Sequence, residues 1–92
     1  MRQFIAKYIA FGEAKLVAKA SGLSENQITY WKKKREQGGR YPNVLSLVYL
    51  CRGIVKIKKE KGLCLNYERV ILEAITCIEN PSYIIPQEYP VE

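Results

Sequence analysis

Read from its start, the chain places apolar side chains at helical spacing. Phe4, Ile5, Tyr8 and Ile9 fall at i, i+1, i+4 and i+5, one face of a first helix over about residues 2–11. Gly12 stops that helix and can cap the next, whose first turn holds Glu13, where the helix dipole favours a carboxylate. Phe11 and Leu16 flank this start at the spacing of a hydrophobic staple. Leu16, Val17 and Ala20 then form the inner face of a second helix ending at Gly22. Ser24 and Gln27 make a capping-box pattern at the start of a third helix, and Leu23 with Ile28 repeats the staple spacing. Ile28 and Trp31 lie one turn apart on its inner face, and Gly38-Gly39 ends it near Gln37.

Pro42 and Asn43 open the next element. Leu47, Leu50, Cys51, Ile54 and Ile57 occupy one side of a helix running to about Glu60, with Ser46, Tyr49, Gly53, Lys56 and Glu60 on the other. A competing reading stops this helix near Arg52 and folds residues 54–66, IVKIKKEKGLCL onward, as a β-hairpin; the helix is preferred. Asn66 is placed to cap a last helix over about residues 67–79, with Tyr67, Val70, Ile71, Ala74, Ile75 and Ile78 as its apolar stripe. Asn80-Pro81 ends it, and the proline-rich tail SYIIPQEYPVE is expected to be extended. The pattern predicts an all-α fold: a small helix-turn-helix bundle with an extra C-terminal helix and an extended tail.

Ala18, Gly22, Ile28 and Trp31 carry the spacing of that helix-turn-helix. Ala18 must be small because the third helix crosses the second there, and Gly22 supplies the positive φ of a sharp turn. Leu23, Ile28 and Trp31 form the wedge that locks the crossing. Such an arrangement pushes the N-terminal half of the third helix outward, as in entry to a DNA major groove.

FGEAKLVAKASGLSENQITYWKK, within residues 4–37, resembles the DNA-binding segment of the lambdoid-phage Cro and repressor family, particularly small Cro proteins with FG before the motif and W-K after it. RYPNVLSLVYL is more weakly similar to the fourth helix of such repressors, and residues 53–92 have no counterpart there. The resemblance implies a Cro-like bundle and an outward recognition face of Ser24, Glu25, Asn26, Thr29 and Tyr30. Many relatives hold a phosphate with Gln at the first residue of the motif. Here that position is Ala14, with Lys15 beside it as the substitute.

Each residue of that face also has a plainer role. Ser24 is a cap before it is a base contact, and Glu25 complements the helix dipole or accepts from a cytosine amino group. Asn26 is the strongest base-reading candidate, because one amide can bond both N6 and N7 of adenine. Thr29 can offer its methyl to thymine, and Tyr30 can reach a phosphate or a base. Lys32 to Arg35 span a full turn, so they do not all face one strand. The phosphate-contacting candidates are Lys15, Lys33, Lys34, Arg35 and Arg40.

Charge sharpens this picture. Residues 1–61 hold 14 Lys/Arg and 4 Glu, a balance of +10; residues 62–92 hold Arg69 and 5 Glu, a balance of −4. A basic DNA-binding head (1–61) and an acidic segment (62–92) for oligomerisation or a protein partner follow as the expected division. Lys56, Lys58, Lys59 and Lys61 either extend the basic surface or keep a long helix solvated.

Histidine and aspartate are absent, which removes most hydrolase triads and the usual zinc-finger ligand sets, so neither an enzyme nor a metal or other cofactor is expected. Cys51, Cys64 and Cys77 lack a CxxC pairing and are expected as buried free thiols in a reducing cytosol. No targeting segment is visible, and the longest uncharged apolar stretch, residues 41–51, is too short to span a membrane.

The function expected from these readings is a Cro-like repressor that binds a short double-stranded DNA operator as a homodimer, with the 67–78 stripe and Ile84–Ile85 as candidate interface or as monomer core. The alternatives are a DNA-binding antitoxin whose C-terminal segment clasps a protein, and a DNA-bending recombination factor.

Overall fold

Side-chain caps decide where several of the helices begin. In the computed structural model of the protein, which describes residues 1–32 and 41–92, Asn43 and Asn66 each accept a backbone N–H three residues on. The donors are Ser46 at 2.8 Å and Arg69 at 3.1 Å, and the helices that follow are α4 (Val44–Glu60) and α5 (Tyr67–Glu79). Before them come α1 (Arg2–Tyr8), α2 (Ala14–Ser21) and α3 (Glu25–Lys32). Among the described residues no strand forms beyond one antiparallel bridge, Leu65 to Val91, so the chain is all-α. The expected end of α3 near Gln37, and Lys33, Lys34, Arg35 and Arg40, lie outside the described residues.

The hairpin alternative does not occur. Leu47, Leu50, Cys51, Ile54 and Ile57 are all buried at helical spacing, and α4 stops only where Gly62 adopts a φ of +86°. The core is one cluster. It takes Phe4, Ile5 and Tyr8 from α1, Val17 and Ala18 from α2, Ile28 and Trp31 from α3, Leu50 and Ile54 from α4, and Val70 and Ala74 from α5. Met1, Ile9, Leu65 and Ile85 complete it from outside the helices. No helix among the described residues is long and apolar enough to cross a membrane.

Four expectations need correction. First, α1 ends at Tyr8 rather than near Phe11, because Ile9 is already extended at φ −122°. The link to α2 is closed by a reciprocal pair: the Glu13 amide donates to the Ala10 carbonyl at 2.9 Å, and the Ala10 amide donates to the Glu13 carboxylate at 3.1 Å. Glu13 is therefore the N-cap residue of α2 and is buried, not part of its first turn.

Second, that closure leaves Phe11 at the tip of the turn beside Gly12 (φ +85°), fully exposed. Leu16 is exposed too, so it does not belong to the inner face of α2 and the staple between them does not form.

Third, Gly53 does not face outward. A Cβ at that position would lie 2.7 Å from the Cβ of Ser21, so glycine here lets α4 press directly on the end of α2. The buried side of α4 is wider than one stripe because both α2 and α5 pack on it. Fourth, Cys64 is exposed; only Cys51 and Cys77 are buried.

The tail is extended, as expected, and folds back on α1. Gln3 donates from its amide to the Tyr83 carbonyl at 2.7 Å and accepts the Ile85 amide at 3.0 Å. The Tyr89 hydroxyl donates to the Lys7 carbonyl at 3.2 Å, and the Asn66 amide donates to Pro90 at 2.7 Å. Val70 and Ala74 of the α5 stripe are fully buried, and Tyr67, Ile71, Ile75 and Ile78 pack half-buried against the same core. Of the tail pair, Ile85 is buried and Ile84 exposed.

Candidate nucleic-acid interface

The turn between α2 and α3 is built from its backbone outward. Gly22 sits at φ +76°, and both its amide and that of Leu23 (3.0 Å) donate to the Ala18 carbonyl, a left-handed stop that a side chain would strain. Two residues later the capping box is complete. The Gln27 amide donates to the Ser24 hydroxyl at 3.2 Å, while the Gln27 side chain accepts the Ser24 amide at 3.0 Å. The Ser24 hydroxyl donates in turn to the Gln27 side-chain oxygen at 3.3 Å. Ser24 is thus committed to the cap.

Ile28 has no exposed surface and Trp31 little, so α3 is fixed from within, with Ala18 buried and Leu23 partly buried against the same core. The opposite side is polar: Glu25, Asn26, Thr29 and Tyr30 are all exposed. The Thr29 hydroxyl donates to the Glu25 carbonyl at 3.0 Å, which occupies its polar group and leaves its methyl for contact. Four of the five sequence-predicted face residues, Glu25, Asn26, Thr29 and Tyr30, therefore fall on one short helix, and Ser24 lies just before it as the cap.

Lys15 is exposed on α2. So is Lys19, one turn further along, which the family-based reading passed over although i, i+4 spacing places it on the same face. The α4 lysines divide into two groups. Lys61 pairs with the buried Glu13, and the half-buried Lys58 lies 5.5 Å from the centre of the Tyr89 ring. Lys56 and Lys59 are exposed with Arg52.

Several perturbed titrating groups lie in the interior. Burial pushes the Cys51 thiol up to about 12, and it raises Cys77 in the same direction. The Tyr8 phenol is raised by burial and then by its hydrogen bond to Glu73. Glu73 also pairs with Lys7 at 2.6 Å, where only 2% of the lysine side chain is exposed. Beside this network an open groove of about 410 Å³ runs between α5 and the tail, lined by Arg69, Leu72, Glu73, Tyr83 and Tyr89 among others, with no contribution from α2 or α3.

Comparison with family models, with curated proteins and with solved structures returned no match for this chain.

Proposed function

We propose that the protein is a sequence-specific DNA-binding regulator, acting as a repressor of the Cro type by occupying a short operator as a homodimer. The observation that carries this reading is α3: capped by Ser24 and Gln27, wedged by Ile28 and Trp31, and polar along its exposed side. A helix held from inside and chemically varied outside is what base-edge readout in a major groove requires. Asn26 reads adenine, Thr29 and Glu25 supply secondary base contacts, and Tyr30 reaches base or phosphate. Exposed Lys15 and Lys19 meet phosphate oxygens, together with Lys33, Lys34, Arg35 and Arg40.

Two recognition helices are needed, because one reads too few base pairs to be selective among many competing sites. The tail favours this regulator over an antitoxin. Ile85 is buried in the chain's own core and Gln3, Lys7 and Asn66 bond the tail, so its course is set by this chain without a partner.

Selecting bound sites from random duplexes tests the proposal. The expected product is a pseudo-palindromic site with half-site centres about 34 Å apart, one DNA turn. Enrichment of no sequence over the starting pool would count against it.

A further inference from the structure

α2 and α4 are joined at both ends of α2. At its end, Gly53 lets α4 press on Ser21, where an added Cβ would come within 2.7 Å. At its start, the Lys61 ammonium meets the Glu13 carboxylate. The order of these contacts makes the two helices antiparallel. From Glu13 to Ser21, and from Gly53 to Lys61, the chain advances about 12 Å at 1.5 Å per residue. The Gly53 contact has no side chain on the α4 side, so it sets how closely the helices approach. A second contact, the length of α2 away, sets the direction in which α2 points.

Both partners of that second contact are held. Lys61 sits in a Schellman closure of α4, in which the Leu63 amide donates to the Lys58 carbonyl at 2.9 Å and the Gly62 amide to the Lys59 carbonyl at 3.0 Å. Leu63 packs on the core beside this closure. Glu13 divides its carboxylate: Oε1 accepts the Ala10 amide at 3.1 Å and Oε2 faces Lys61. Only 11% of the Glu13 side chain is exposed, against 52% for Lys61. One carboxylate thus ties the α1–α2 link, the start of α2 and the end of α4.

We infer that Glu13 and Lys61 are positioning residues for DNA recognition, their ion pair setting the direction of α2 and, through the Gly22 turn, that of α3. The inference rests on the DNA-binding reading. The mechanical link is continuous, because Ala18 accepts the Gly22 and Leu23 amides and shares the core with Ile28 and Trp31. A swing of α2 is therefore carried to Asn26 and Thr29. A half-exposed ion pair adds little to stability, so its loss leaves a folded protein with a displaced reading helix.

The test compares the full chain with Lys61→Met, Glu13→Gln and Lys61→Arg on a selected site and on a random duplex, with circular dichroism alongside. Glu13→Gln keeps an acceptor for the Ala10 amide. Lys61→Met lowers the net charge and Glu13→Gln raises it, so general electrostatics moves their affinities in opposite directions. Displacement of α3 instead lowers the preference for the selected site in both. The expected loss is about tenfold, within the range for mutations that touch neither ligand. Lys61→Arg is expected to keep the wild-type preference. Unchanged preference in both charge-removing variants would overturn the proposal, as would loss of preference in Lys61→Arg. So would an equal loss on both duplexes in Lys61→Met with the salt slope flattened by about 0.9, the mark of a direct phosphate contact. Amide resonances of the free protein test the positioning without DNA. Lys61→Met is expected to move those of Ala10 and of residues along α2 and α3; changes confined to the neighbours of residue 61 would count against it. If wild type binds no duplex while these resonances move, the ion pair still positions α2 and the DNA-binding reading falls.

Discussion

The turn between α2 and α3 and the tail after α5 are both irregular backbone, but they are fixed by opposite means. At the turn, the hydrogen bonds run over three to five residues: Gly22 and Leu23 to Ala18, Ser24 with Gln27. In the tail they run across the whole chain, from Tyr83, Ile85 and Tyr89 to Gln3 and Lys7. Locally fixed structure can keep one side exposed, and the exposed polar side of α3 is the result. The tail instead gives Ile85 and Tyr89 to the interior and to the surface of α1, and it helps cover the Lys7–Glu73 pair. The exposed polar side of α3 and the clasp of the tail therefore rest on one core.

Breaking the buried ion pair that joins α5 to α1 is expected to have the largest effect. Glu73→Ala removes the partner of a buried Lys7 ammonium and of the Tyr8 hydroxyl, and is expected to cost about 3–5 kcal/mol, read as the shift in a denaturant midpoint. The contact joining α2 to α4 comes next. Gly53→Ala drives a methyl into Ser21 and is expected to cost about 1–3 kcal/mol in the same measurement, with weakened DNA binding in the folded fraction as α2 shifts.

The core itself gives a pH signature. The Cys51 thiol is held protonated in the fold up to about 12 and ordinarily titrates near 9, so the unfolded chain loses its proton first as pH rises. The contribution is intact below pH 9 and declines above it, by about 1 kcal/mol between pH 9 and 10. Tyr8 adds to the decline in the same direction at higher pH. In Cys51→Ala the fall from pH 9 to 10 is expected to be shallower than in wild type; an equal slope would assign the effect elsewhere. At the turn, Ser24→Ala is expected to cost only about 1 kcal/mol, since the cap is exposed and the wedge of Ile28 and Trp31 remains.

The same contrast explains what could be read from residue order. The Ser24–Gln27 box, the Asn43 and Asn66 caps and the buried periodicities of α3, α4 and α5 are interactions between near neighbours, and they stand in the structure where their spacing put them. Phe11 and Leu16 had the spacing of a staple, but the chain closes between Ala10 and Glu13, with Glu13 also paired to the distant Lys61, and both side chains are left in solvent. Gly53 looked like a weak point on an outer face because its reason for being glycine, Ser21, is remote in sequence. The return of the tail to Gln3 and Lys7 was invisible for the same cause. The candidate base-contacting residues were legible because they are simply the side of a well-capped short helix opposite its buried wedge.

The proposal that the exposed side of α3 reads DNA sequence stands or falls with Asn26. The decisive measurement is the affinity of wild type and Asn26→Ala for a selected site and for a random duplex at one fixed salt concentration. The prediction is a loss of about 1–3 kcal/mol on the selected site, relaxed preference at one base pair per half-site, and little change on random DNA, because no charge is removed. Equal losses on both duplexes, or no loss on either, would contradict it.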